Sequence, residues 1–174
     1  YSLLFVINGI AQSLRTVGES NEYKDAVHGL YERFKAEKLS PQLIVQMSVQ
    51  LIMQSIYVVV DLGIPIQKLL GEQYSNIYDI LVDFPTLEEL RDYVVNIIEC
   101  FVENIRLKRN TKNINEKTIQ RVLDFINEHY SDRRLSLNML SAEFHFSAPY
   151  LSKLFKQATE TNFLDYLINL RVKK

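Results

Sequence analysis

A chain of 174 residues, 47% of them hydrophobic, is long enough for one large domain or two small ones with a packed core. A single cysteine, Cys100, excludes an intrachain disulfide framework and fits a reducing cytoplasm, while four prolines, five glycines and no run of strict polar–apolar alternation point to an all-α protein. The net charge of −1 is unevenly spread: residues 1–104 hold 7 Lys/Arg against 14 Asp/Glu, and residues 105–174 hold 13 against 7. A basic C-terminal part beside an acidic N-terminal part suits a nucleic-acid-binding module joined to something that does not touch nucleic acid.

In chain order, residues 3–14 predict a helix through Leu3, Phe5, Val6, Ile10 and Leu14, stopping near Gly18. Residues 22–36 predict an amphipathic helix burying Tyr23, Val27, Leu30, Tyr31 and Phe34, with His28 beside the stripe and partly buried. Residues 43–60 contain no charge and meet the length criterion for a membrane span. Gln42, Gln46, Gln50 and Gln54 nevertheless recur every four residues and form one polar stripe, so the central helix of a soluble bundle is expected, with no membrane contact and a cytoplasmic location. Residues 61–73, with two glycines and a proline, break the pattern; short helices are expected at Ile66–Leu70 and Tyr74–Val82.

Thr86 and Glu89 have capping-box spacing, and a long helix is expected from there to about Arg109. Its seam of Leu87, Leu90, Val94, Ile97 and Phe101 fits either a homodimeric coiled coil through the N-terminal helices or packing within the chain's own bundle. Glu88 and Glu89 read as first-turn charges, and Cys100 as a small buried residue on this helix. The run RLKRNTKN, residues 106–113, contains no acid and is the expected boundary between a helical regulatory or dimerisation domain, 1–110, and a second domain, 113–174. A further helix is expected from Asn115 to Tyr130, burying Ile119, Val122, Leu123, Ile126 and Tyr130.

Residues 135–158 read as two helices joined by a tight turn. Ser136 caps a short stripe of Leu137, Leu140 and Phe144; His145, Phe146 and Ser147 form the turn; Ser147 caps a helix starting at about Ala148, with Pro149 in its first turn. Leu151, Leu154, Phe155 and Ala158 make its apolar face, while Pro149, Ser152, Lys153 and Lys156 share another. That spacing fits a helix-turn-helix and equally an ordinary αα-hairpin.

The residues LSLNMLSAEFHFS, YLSKLFK at 150–156, Phe163, DYL at 165–167 and Arg171 resemble the first helix-turn-helix of AraC/XylS-type transcription regulators. The resemblance implies double-stranded DNA as partner, a recognition helix over about 148–158 in the major groove, residues 115–130 as its support helix, and a connector helix capped by Asn162. Such domains carry two helix-turn-helix units; this chain begins without methionine and stops directly after the connector pattern, so a fragment lacking the second unit is expected. Glu160 stands where the family has glycine, implying strain of about 1 kcal/mol if the residue is left-handed. Residues 1–110 are similar to regions preceding the domain in some Gram-positive AraC-type proteins, with any small-molecule effector unknown.

For base readout the candidates are Pro149, Ser152 and Lys153, the last able to donate to guanine O6 or N7. Tyr150, Lys156 and Arg134 are the candidates for phosphate contacts. No nucleophile–base set, phosphate loop or metal-spaced cluster is present in the sequence, so neither an enzyme nor a cofactor is expected. The competing reading is a helical ligand-sensing or protein-interaction module that does not bind DNA itself.

Overall fold

The structure, a computed structural model, describes residues 2–71 and 76–173, the Lys68 side chain excepted. It is all-α. The elements are α1 (Leu3–Ser13, followed by a 3-10 turn, Leu14–Thr16), α2 (Glu22–Ala36), α3 (Pro41–Asp61), α4 (Gln67–Leu70), α5 (Ile77–Val82), α6 (Leu87–His129), α7 (Leu137–Phe144), α8 (Ala148–Thr159) and α9 (Phe163–Lys173). The expected start of a helix at Tyr74 lies outside the described residues. The chain divides into two compact units, Tyr1–Lys108 and Arg109–Lys174.

In the first unit α1 packs on α2 and α3, and α3 also packs on α5. Ser40 caps α3 by accepting the Leu43 N–H, and Pro41 occupies its first turn. By length and composition α3 could cross a membrane, with a mean hydropathy of 1.8, but its Ile44, Val45, Leu51, Ile52, Ile56, Val58 and Val59 are buried in this unit's core. Gln42 and Gln46 are exposed, and Gln50 and Gln54 half-buried, along the polar stripe. Ser48 and Ser55, which look polar in sequence, are fully buried. Each hydroxyl donates to the carbonyl four residues back, Ile44 and Leu51, both at 2.8 Å. Since Ser48 has only one hydroxyl proton, the Tyr31 hydroxyl at 2.5 Å is the donor in their contact.

The seam of α6 is used within this unit. Leu90, Val94, Ile97, Ile98, Phe101, Val102 and Ile105 are buried in its core and Leu87 is half-buried against it. Thr86 caps the helix by accepting the Glu89 N–H at 3.2 Å, while Glu88 reaches Lys35 of α2 at 2.6 Å. The Lys35 ammonium holds the Glu88 carboxyl below its usual range. Lys24 of α2 pairs with Glu99 of α6. Two sequence expectations change here. His28 is exposed, not partly buried, because it lies one residue, or about 100°, off the stripe that Val27 anchors. Cys100 is half-buried, and burial, with Glu103 nearby, pushes its thiol pKa up.

The run 106–113 contains the division between the two compact units but does not interrupt the helix: α6 continues through it to His129, so the two helices expected around Arg109 and Asn115 are one. Its cations find partners within the chain: Lys112 lies 3.7 Å from Glu116 one turn on, and Arg106 and Lys108 reach backbone carbonyls. Arg106 donates from Nε to the Gly18 carbonyl at 2.7 Å and from Nη2 to the Ser20 carbonyl at 2.8 Å. Lys108 donates to the carbonyls of Leu62 and Gly63, both at 2.7 Å, and so neutralises the C-terminal end of α3.

The second unit has its own small core. Ile119, Val122 and Ile126 of α6 meet Leu135, Leu140, Leu151, Leu154, Phe155, Phe163 and Leu167. Phe155 stands edge-on to Phe163 and Tyr166, with ring centroids 5.9 and 5.2 Å away. Arg171 of α9 donates to the carbonyls of Tyr130 and Asp132, at 2.7 and 2.8 Å, satisfying oxygens just past the end of α6.

Candidate nucleic-acid interface

Residues 136–159 form two capped helices joined by a tight turn. Ser136 accepts the Met139 N–H at 3.3 Å to start α7, and Ser147 accepts the Tyr150 N–H at 3.4 Å to start α8. Between them His145 is left-handed (φ 58°, ψ 35°) and ends α7 with its N–H on the Ser141 carbonyl. Ser141 also closes the turn: its hydroxyl donates to the Phe146 carbonyl at 2.5 Å, and its carbonyl accepts the Phe146 N–H at 3.2 Å. Three residues suffice for the turn because one serine satisfies both sides of it.

The two faces of α8 separate as its period requires. Leu151, Leu154 and Phe155 are buried, whereas Pro149, Ser152, Lys153 and Lys156 are all exposed. Ala158, at the end of the expected apolar stripe, is exposed as well. At about 100° per residue the four exposed side chains span an arc of about 100°, from Ser152 through Lys156 and Pro149 to Lys153. Ser152 is at one edge of this arc and lines an open groove of about 360 Å³ together with Ser136, Leu137, Asn162 and Leu164. Among the described residues no ion pair holds Lys153 or Lys156, so both ammonium groups are open to an anion.

The other two candidates are differently placed. Arg134 is exposed, but its guanidinium donates to Asp132 at 3.1 Å. That contact holds the Asp132 carboxyl below its ordinary range. A phosphate would have to compete with this carboxylate. Tyr150 is 41% exposed, and its hydroxyl donates to Oδ1 of Asn115 on α6 at 2.7 Å. Its proton is thus already engaged, leaving only oxygen lone pairs outward. Sequence reasoning missed three residues that shape this surface. Asn115 and Ser141 have partners that no local pattern announces, and Arg121 of α6 lies over the Phe144 ring, 5.6 Å from its centroid.

Glu160 ends α8 in the left-handed conformation (φ 59°, ψ 4°), its N–H on the Lys156 carbonyl at 3.0 Å. Asn162 then caps α9, accepting the Asp165 N–H at 2.9 Å. Glycine adopts that conformation without the Cβ clash, so Glu160→Gly is expected to stabilise the protein by about 0.5–1 kcal/mol. A raised midpoint of thermal denaturation checks this, and a lowered one speaks against strain at Glu160.

No group of three or more His, Cys, Asp or Glu among the described residues is placed to hold a metal ion. No family model, curated protein or solved structure matches the chain.

Proposed function

We propose that residues 109–174 are a DNA-reading module of a transcription regulator of AraC type, with α8 entering the major groove and the all-α unit before it serving regulation or dimerisation. The observation that carries this reading is the sidedness of α8. Its apolar side is buried against α6, α7 and α9, and its opposite side presents two open lysines beside Pro149 and Ser152, with a tight turn presenting the first helical residues outward. The basic balance of residues 105–174 and the AraC-type residue pattern support the same reading. In this role Lys153 donates to guanine O6 or N7, and Lys156 neutralises a phosphate.

Titration of a labelled duplex at two salt concentrations tests it. Neutralising Z phosphates gives log K a slope of about −0.9Z against log salt, so affinity should fall steeply with salt. An absence of binding at low salt would favour a protein-interaction or ligand-sensing module. On a duplex selected from a random pool by the wild-type chain, Lys153→Ala should lose about 1–3 kcal/mol, with little change on random DNA. Lys156→Ala should weaken both and flatten the salt slope by about 1. Equal losses for the two variants on both duplexes would undo this division of roles.

A further inference from the structure

We propose that Asn115 is a positioning residue for the recognition helix, fixing the rotation of α8 about its own axis through the hydroxyl of Tyr150; this rests on the DNA-reading role of α8 above. Asn115 is in register with the buried stripe of α6, four residues before Ile119 and seven before Val122, where the stripe reaches solvent and an apolar side chain would simply continue it. It is instead a half-buried amide, and its Oδ1 accepts from a residue 35 positions away in the first turn of α8.

Tyr150 is held in three ways. Its N–H donates to Ser147, its ring lies 5.3 Å from that of Phe146, and its hydroxyl reaches Asn115. On the helix it sits between the two faces, about 60° from Lys153 on one side and about 40° from Leu154 on the other. The apolar contacts of Leu151, Leu154 and Phe155 set which side of α8 faces inward, but they are non-directional and tolerate small rotations. A turn of about 10° moves a group about 6 Å from the helix axis by about 1 Å. Taken along the bond, that shift would stretch a hydrogen bond of 2.7 Å to about 3.7 Å, too long to hold, and the same shift at Lys153 would spoil its alignment with a base edge. Asn115 therefore converts a loosely specified packing angle into a defined one, and the effect falls on sequence discrimination.

The test uses the full chain, a duplex selected by the wild type, and a random duplex. Asn115→Ala and Tyr150→Phe should each lose about three- to tenfold in affinity for the selected duplex, the range of one modest hydrogen bond. The double variant should lose no more than the worse single one, and the random duplex should be bound within about twofold of wild type throughout. Asn115→Asp keeps the acceptor, so it should restore the ratio of selected to random binding although its charge weakens both. Additive losses, equal losses on the two duplexes, or unchanged binding of the selected duplex by folded variants would each overturn the positioning role. A wild type that binds neither duplex at low salt would instead remove the DNA-reading role, and the inference with it. Thermal denaturation of each variant separates lost folding from lost positioning.

Discussion

Phe155→Ala is expected to cost about 3–5 kcal/mol and to unfold most of the second unit. Phe155 has no exposed surface, and its ring is the meeting point of α8 and α9, edge-on to both Phe163 and Tyr166. Truncation removes those ring contacts and leaves a cavity in a small core in which Val122, Leu140 and Leu151 are already fully buried. A unit of about 65 residues is stabilised by about 3–10 kcal/mol in all at typical values per residue, so this single change removes a large fraction of it. Amide exchange is the suitable measurement because it reports each unit separately. Protection in α7, α8 and α9 should collapse, while the amides around Val27, Ile52 and Ile98 in the first unit's core keep theirs. Retained protection throughout α8 would show that this core does not depend on Phe155. Since loss of the α8 surface should also abolish duplex binding, the variant serves as the unfolded reference for Lys153→Ala and Asn115→Ala.

The helical periods of α2, α3 and α8 were legible because each buries a stripe that the sequence spells out, and Thr86, Ser136, Ser147 and Asn162 mark starts where a side-chain oxygen accepts an N–H. The continuity of α6 was harder to see. Its middle is rich in charge and asparagine, which resembles a linker, yet no glycine or proline lies between Leu87 and His129. The low propensity of asparagine and threonine costs only tenths of a kcal/mol per residue, whereas extending an existing helix needs no new nucleus. Arg106 and Lys108 have no acid beside them in the run 106–113. Their partners are helix-end and loop carbonyls, which every sequence contains and none advertises.

On the candidate surface the same limit applies. The exposed face of α8 follows from period alone, but Tyr150 looked as available as Lys153 because its acceptor, Asn115, is far away in the chain. The left-handed turn at His145 has a similar origin. No glycine marks it, and its conformation is held by what Ser141 donates and accepts across the turn. Local rules locate the faces of helices. Pairwise hydrogen bonds between distant residues decide which groups on those faces remain free.

Ser48→Ala is expected to destabilise the first unit by about 2–3 kcal/mol, near the upper end for an orphaned buried donor, and Tyr31→Phe by only about 1 kcal/mol. The asymmetry follows from the direction of the hydrogen bonds. Ser48 donates to Ile44 and accepts from Tyr31, both groups being buried. Removing the serine hydroxyl leaves the Tyr31 O–H enclosed without an acceptor, whereas removing the tyrosine hydroxyl leaves the serine proton still on its carbonyl. The double variant should therefore be more stable than Ser48→Ala alone, which chemical denaturation can measure; equal costs for the two single changes would reverse the donor assignment. A pH dependence accompanies it. Burial pushes the Tyr31 hydroxyl above its ordinary range, so the folded state keeps its proton more tightly than the unfolded chain. This contribution is fully present below the unfolded value, near pH 10, and is lost as pH rises from there toward the folded value. In Tyr31→Phe that part of the alkaline loss should disappear, and its persistence at full size would place the titrating group elsewhere.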